Sequence, residues 1–284
     1  MRRLLSYPRS TIEWSAVVVA CLIVLMALFG RWFAPFDALQ IDFRNKLKAP
    51  SFVHLLGTDE TGRDVLSRLL FGAQLTLSST LTVLVIVVLI GCTIGLFSAL
   101  IGGAIDNLLM RLADIWLGFP PLILALGFAS ALGASLEAAI LALVLSWWPN
   151  YARLTRMVAS DILARKFIAS ADALGVPLTR KIFAYLIPNA FDVMIVQVSL
   201  DVSAVMLAIS GLSFIGVGAQ IPAPEWGAMI ADGRSYVSKA WWIVSAPGLM
   251  IFLTAVSFNI IGDMLRRELD PTLRRDRREG PAGA

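Results

Sequence analysis

The side chains that usually carry catalysis or bind metals are scarce in this chain. It has a single histidine, His54, and two cysteines, Cys21 and Cys92, which both lie within apolar runs. Without a Cys-x-x-Cys spacing or a Cys/His cluster, a zinc site is not expected. The chain also lacks a G-x-x-x-x-G-K-[ST] phosphate loop and a G-x-S-x-G nucleophile elbow. We therefore predict no catalytic residue, no metal site and no ATP bound by this chain.

One acidic residue lies deep within an apolar run. Asp201 is part of the segment VQVSLDVSAVML, and Gln197 precedes it by one helical turn. Ionisable groups inside membrane helices are costly and are often functional. Two interpretations are equally open. Gln197 and Asp201 are candidates for a polar surface on a translocation pathway, or the carboxylate is held by Ser or Thr side chains and fixes helix packing.

The composition is that of a membrane protein. The 284 residues are 58% hydrophobic and 15% charged, with a mean hydropathy of +0.78, whereas soluble domains are about 45–50% apolar and about 25% charged. The net charge is +4, but the basic residues fall in the gaps between apolar runs. This placement favours membrane flanks and contact with lipid over a nucleic-acid partner.

The apolar runs are close to 20 residues long and do not alternate, which predicts membrane-spanning helices rather than strands. We predict an all-α polytopic membrane protein with six transmembrane helices. The first run follows basic residues but is too long for a signal-peptide core and lacks a cleavage site, so we expect it to be retained. The predicted spans are 14–33, 75–100, 112–132 (broken by Pro120 and Pro121), 136–151, 190–217 and 241–264.

The distribution of Lys and Arg predicts the orientation of these spans. Basic residues concentrate at the N-terminus, between the fourth and fifth spans, and at the C-terminus, and such segments are usually cytoplasmic. We therefore predict that both termini are cytoplasmic. The predicted organisation is a cytoplasmic N-terminus (1–13), a first span (14–33), an extracytoplasmic segment (34–74), a membrane core (75–264) with a cytoplasmic loop (152–189), and a cytoplasmic tail (265–284).

The cytoplasmic loop contains the segment KFIASADALGVPLTRKIFAYLIPNA, which reads as a helix-turn-helix. Phe167, Ala171 and Leu174 share one helical face, and Gly175 is a natural helix stop. Pro188 is predicted to end the second helix just before the fifth span. Two interpretations are open: the hairpin receives a partner protein, or it rests on its own bundle.

These residues also carry a resemblance. The order Ala169-Ser170-Ala171, then Gly175, then Leu186-Ile187-Pro188 is similar to the EAA loop of ABC importer permeases. Three further segments, 55–73, 211–234 and 253–271, resemble permeases of the dipeptide, oligopeptide and nickel group. The chain departs from the motif at Ala169, where the family has a Glu. That change puts one polar contact in doubt.

The resemblance implies a type I ABC importer permease fold in a bacterial cytoplasmic membrane. It implies a second permease subunit, two ATPases that use ATP and Mg²⁺, and an extracytoplasmic substrate-binding protein. Alternating access would be driven by the ATPases. The binding protein is expected to dock near Pro222, Pro224 and Trp226. The residues expected to couple to the ATPases are Phe167, Ala169, Ser170, Ala171, Asp172, Leu174, Gly175 and Pro188.

Alternatives to peptide import remain at this stage. The same motifs are found in permeases for nickel and other small solutes, because cargo is normally selected by the binding protein. A polytopic membrane enzyme and a membrane scaffold are two further possibilities. The missing catalytic constellations weigh against the enzyme, and Asp201 with the outer Pro/Trp loop weighs against the scaffold.

Overall fold

The computed structural model describes residues 10–269, which form helices joined mostly by short connections, with a longer segment, 34–64, between the first two long helices. The predicted all-α class is confirmed for this part of the chain. The helices are α1 (Thr11–Phe33), α2 (Val65–Ile101), α3 (Gly103–Leu117), α4 (Pro121–Leu132), α5 (Leu136–Leu163), α6 (Lys166–Ala173), α7 (Leu178–Lys181), α8 (Ile187–Ile215), α9 (Trp226–Gly233) and α10 (Trp242–Leu269).

Side-chain caps explain where several helices begin. The hydroxyl of Ser10 accepts from the Glu13 N–H at the start of α1, and Ser135 does the same for Ala138 at the start of α5. Asp64 accepts from the Ser67 N–H at 2.7 Å, so α2 begins at Val65 rather than at the predicted Leu75. Such caps satisfy backbone donors that have no partner within the helix.

The centre of the bundle is the crossing of α2 and α5. Gly91 and Gly95 lie one turn apart on α2, and a Cβ at Gly95 would stand 2.2 Å from the Ala152 carbonyl oxygen. Glycines at this spacing let two membrane helices approach closely. Around the crossing, Leu84 of α2, Leu143 of α5 and Leu212 of α8 are fully buried in one apolar core.

The close crossing leads to a stability prediction. Gly95→Leu is expected to force α2 and α5 apart and to destabilise the bundle by about 1–3 kcal/mol or more, because overpacking a dense core costs that much. Thermal unfolding in detergent would measure the loss. Gly127→Leu on α4 is the matched control, since a Cβ there meets no atom within 4 Å. Equal midpoints for the two variants would contradict a tight crossing at Gly95.

Four helical stretches among residues 10–269 are long and apolar enough to cross a membrane, namely α1, α2, the continuous stretch Leu178–Ile215, and α10. The pair α3 and α4 qualifies only together, as a fifth stretch bent by 89°. Pro120 and Pro121 follow the end of α3 and account for the break, since Pro cannot continue a helix. The fourth predicted span, 136–151, lies in α5, which is 28 residues long. The second half of α5 carries charged residues, and α5 is not among the apolar stretches.

The bundle has two ends. The hairpin end carries α6 and α7, and the loop end carries the segments 34–64 and 216–241. At the hairpin end, Ile168 of α6 packs near the end of α2, and Glu13 of α1 pairs with Arg267 of α10 at 2.5 Å. At the loop end, the Phe36 N–H donates to Ser67, and Trp242 donates to the Thr58 carbonyl at 3.1 Å. The first and last turns of the described chain therefore share the end that carries the hairpin.

Candidate functional site

The hairpin is built around a glycine stop. After α6, Gly175 has a φ of +70°, the left-handed region that favours glycine. The Val176 N–H donates to the Ala171 carbonyl at 3.0 Å, and the Gly175 N–H donates to that of Asp172. These bonds satisfy the last carbonyls of α6. The predicted helix stop at Gly175 is confirmed.

The buried face of α6 differs from the predicted one. Ile168 and Ala171 are 2% and 6% exposed, and Ile168 packs in one buried cluster with Ile162 of α5. Phe167 and Leu174 are 43% and 83% exposed, so of the three residues predicted to share one apolar face only Ala171 is buried. Ala171 is directed into its own bundle and is not available for direct contact with a partner. Periodicity identified an apolar stripe, but Ile168 rather than Phe167 completes it because it meets α5.

The second half of the hairpin runs without interruption into α8. A π-helical turn, Ile182–Leu186, joins α7 to α8, and the Ile187 N–H donates to the Ile182 carbonyl. Pro188 lies in the first turn of α8, so the prediction that it ends the second helix is wrong. Proline is tolerated in the first turn of a helix because the N–H that it lacks would have no partner within that helix. The wider π-helical turn before it lets the chain continue as a helix.

Two side-chain contacts hold the halves of the hairpin together. The Lys181 ammonium donates to the Asp172 carboxylate across the turn. The rings of Phe167 and Tyr185 meet edge to face, with centroids 5.8 Å apart. Asp172 therefore has a partner within the hairpin. The remaining predicted coupling residues, Ala169, Ser170, Gly175 and Pro188, are exposed.

Asp201 has two hydrogen-bond donors in the bundle. The Tyr151 hydroxyl on α5 donates to Asp201 Oδ2 at 2.7 Å, and Gln197 Nε2 donates to the same oxygen at 3.1 Å. These bonds explain how a carboxylate persists in an apolar helix, since buried polar groups need partners. The predicted Gln197–Asp201 pair is brought together. Tyr151 was missed because it lies 50 residues away in sequence.

The segment between α8 and α10 is anchored at the loop end by Trp226. This ring is fully buried, and its Nε1 donates to the Leu69 carbonyl at 3.1 Å. A buried side chain cannot contact a docking partner, so the prediction for Trp226 is wrong; it is an anchor. Pro222 is exposed and Pro224 is half-buried. The segment also packs closely on α2, because a Cβ added at Gly72 would lie only 2.1 Å from the Pro224 carbonyl oxygen.

A buried carboxylate next to Trp226 fixes the same segment. Glu225 is fully buried, and its carboxylate accepts from Thr76 at 3.3 Å and from Ser210 at 3.1 Å. It also accepts from the Ala228 N–H at 2.9 Å and so caps α9. Glu225 therefore ties α2, α8 and α9 together through one group.

A second polar cluster, which we call the loop-end ion network, consists of Asp59, Glu60, Arg63, Arg68 and Asp232. Asp59 Oδ2 accepts hydrogen bonds from Arg63 Nε and from Arg68 Nη1, both at 2.6 Å. Arg68 also reaches Asp232 at 3.5 Å, 164 residues further along the chain. The network thus joins the segment before α2 to α9.

The carboxyl groups of the network respond differently to this environment. Burial by itself would raise the pKa of Asp59, but the Arg68 and Arg63 guanidiniums and backbone N–H donors hold that pKa below its usual range. Burial raises the pKa of Asp232, whose contacts with Arg68 and Arg63 are longer, 3.5 and 3.8 Å. Asp59 is therefore the stronger partner of the two arginines.

Comparison with known proteins places the chain in a family. Residues 91–275 match the family described as binding-protein-dependent transport system inner membrane component. The chain belongs to this family of transport permeases. The match includes Gly91 and Gly95 of the α2–α5 crossing, the hairpin and Asp201. Most of the loop-end ion network lies before the matched residues.

The permease is similar to curated relatives over most of its length. It is 40% identical to a probable D,D-dipeptide transport system permease protein of Escherichia coli (strain K12), over 92% of this chain and 88% of that protein. It is 40% identical to a di/tripeptide transport system permease protein of Pseudomonas aeruginosa (strain UCBPP-PA14), over 89% and 86%. It is 36% identical to a nickel transport system permease protein of E. coli (strain K12), over 92% and 95%.

The fold of the permease also has a solved counterpart. An inward-facing structure of the MetNI methionine ABC transporter aligns with a TM-score of 0.57 and 18% identity, covering 71% of this chain and 96% of that one. At this identity the likeness concerns the fold alone. It confirms the predicted type I ABC importer permease fold.

The sequence of the permease contains the charged residues that were missed, but it does not indicate which of them form pairs. Four of the five members of the loop-end ion network come from the segment HLLGTDETGRDVLSR, which belongs to a long, nearly neutral flank in the sequence. Alternating acids and bases over a short stretch indicate ion pairing, but not its partners. Among residues 10–269, no cluster of three or more His, Cys, Asp and Glu side chains is arranged to hold a metal ion.

Proposed function

We propose that this permease is the membrane subunit of an ATP-driven peptide importer. In this proposal the hairpin faces the cytoplasm and two partner ATPases bind it, using ATP and Mg²⁺. A second permease subunit completes the pathway, and an extracytoplasmic binding protein delivers substrate at the loop end. Closure of the ATPases moves the hairpin and switches the bundle between inward- and outward-open states.

The observation that carries this proposal is the exposed apolar tip of the hairpin. Leu174, Leu178 and Phe183 lie on the surface of a segment whose other face is packed on its own bundle. Exposed apolar patches of this kind mark interaction sites. The cations Lys166 and Arg180 flank the tip, and the excess of basic residues supports a cytoplasmic position.

The loop end supports docking of a binding protein. Glu225 and Trp226 anchor the segment between α8 and α10, and the loop-end ion network braces it from the side. A rigidly held surface suits a partner that must deliver substrate in register. Pro222, on the exposed part of that segment, and Pro224, half-buried beside it, remain the candidate contacts.

Peptides are the cargo we propose. Two relatives at 40% identity are named for transport of dipeptides or tripeptides. Nickel is the second candidate, because a relative at 36% identity over 92% of this chain is named for nickel transport. The two cargos differ in charge and size, so one assay separates them.

The experiment is reconstitution of the complete complex in vesicles with its ATPases and its binding protein. We expect ATP-dependent uptake of a labelled dipeptide, competed by unlabelled dipeptide and not by Ni²⁺. Uptake of ⁶³Ni²⁺ without dipeptide uptake would replace the peptide proposal by the nickel one. Uptake that persists without ATP would overturn both.

The polar trio around Asp201 provides a test of its role in transport. Asp201→Asn keeps the shape of the side chain but removes its charge, and hydrogen bonds to charged groups are worth about 1.5–3 kcal/mol. If Asp201 faces the pathway, uptake falls by roughly tenfold or more while the complex still assembles. Asp192→Asn, an exposed position on the same helix, is the control. Unchanged uptake would assign Asp201 to packing.

A further inference from the structure

Two ion pairs join α3 to α5 at the hairpin end. In the first, Arg156 donates two hydrogen bonds to Asp106, from Nη2 to Oδ2 at 2.6 Å and from Nε to Oδ1 at 3.1 Å. The Asp106 side chain is 10% exposed and the Arg156 side chain is 40% exposed. In the second, Arg153 contacts Asp114 at 3.1 Å, with side chains 62% and 53% exposed. The two pairs connect the same helices but differ in burial and geometry.

Asp106 also holds the corner between α2 and α3. The Ser98 hydroxyl, in the last turn of α2, donates to Asp106 Oδ1 at 2.5 Å. The corner itself is formed by Gly102 and Gly103, with φ values of +66° and +62°. Neither glycine would bring a Cβ within 4 Å of another atom, so this turn depends on backbone conformation and on the bonds of Asp106.

Arg156 lies on the part of α5 that receives the hairpin. Ala159 and Ile162, within two turns after it, pack against Ile168 and Leu186 of the hairpin in one buried cluster. A displacement of the hairpin therefore reaches α5 next to Arg156. Among the described residues, the only polar side-chain contact of Arg156 is with Asp106.

We infer that Asp106 and Arg156 form an ionic clamp that passes the displacement of the hairpin from α5 to α3 and to the corner at the start of α3. The two are positioning residues for coupling: they contact neither nucleotide nor substrate. The inference rests on the proposed function, since it assumes that the hairpin is moved by ATPases. A bidentate pair on a buried carboxylate is suited to this role because it fixes orientation as well as distance.

The clamp is tested in the reconstituted complex by the number of substrate molecules transported per ATP hydrolysed. Asp106→Asn removes the charge and keeps the shape. We expect this ratio to fall by about fivefold or more, the range of measured coupling between sites, while the ATPases still co-purify. Asp114→Asn, which breaks the exposed pair between the same helices, should leave the ratio unchanged because such pairs contribute little.

A charge exchange keeps the test decisive if a single variant folds poorly. Asp106→Arg and Arg156→Asp should each uncouple the complex, and the double variant should restore at least half of the ratio if the pair itself transmits movement. Three results would each overturn the clamp: an unchanged ratio in Asp106→Asn, equal losses in Asp106→Asn and Asp114→Asn, or a double variant no better than the singles. Loss of transport in the unmodified complex would instead refute the proposed function.

Discussion

Gly175→Val should weaken the association of this permease with the proposed partner ATPases by roughly tenfold, because a side chain in the left-handed conformation costs about 1–2 kcal/mol. Gly175 has a φ of +70°, and a Cβ there would meet no atom within 4 Å. The cost is therefore one of backbone conformation and not of space. With a β-branched residue the turn would open, and the exposed tip carrying Leu174 and Leu178 would lose its shape. Co-purification of tagged permease with the ATPases measures the effect.

The control for this prediction is Gly175→Asn. Asparagine enters the left-handed region more readily than valine, and the open space around position 175 admits its side chain. We expect the Asn variant to retain most of the ATPase. If both variants retain it at the level of the unmodified permease, the hairpin is not the docking element. If both variants lose the ATPases, then association depends on direct contact of the partner with the backbone at Gly175 and not on the conformation of the turn.

Arg68→Met should destabilise the permease by about 3–5 kcal/mol, the usual effect of removing one partner from a buried ion pair. The Arg68 side chain is 2% exposed and contacts both Asp59 and Asp232. Methionine matches much of the aliphatic stem, so the loss isolates the charge. Without Arg68, Asp59 keeps Arg63, but Asp232 loses its nearer cation. Thermal unfolding in detergent should show a clearly lower midpoint.

The matched control is Arg165→Met. Arg165 pairs with Asp161 at 2.7 Å, one turn apart on the surface, with side chains 53% and 67% exposed. Such surface pairs contribute about 0–1 kcal/mol, so its midpoint should stay near that of the unmodified permease. A midpoint for Arg68→Met as high as that of Arg165→Met would show that the loop-end ion network does not stabilise the fold.

The hairpin illustrates what local sequence can and cannot predict. Its position between two apolar runs and its glycine stop at Gly175 follow from neighbouring residues alone, and both were predictable. The face it buries was not predictable, because it is decided by the packing of Ile168 against α5. Likewise, Pro188 is a helix breaker by local rules, yet the π-helical turn before it lets the helix continue.

The amino-acid sequence by itself determined that the chain is helical, apolar and membrane-bound, since composition and run length express the cost of placing backbone in lipid. Its motifs also determined the family. Only the tertiary structure decided which charges are paired: Arg68 with Asp232, Arg156 with Asp106, and Tyr151 with Asp201 are separated by 50 residues or more. Burial of Trp226 was decided in the same way. Burial and pairing depend on which distant segments meet, and that information lies in the packing of the helices and not in any local window.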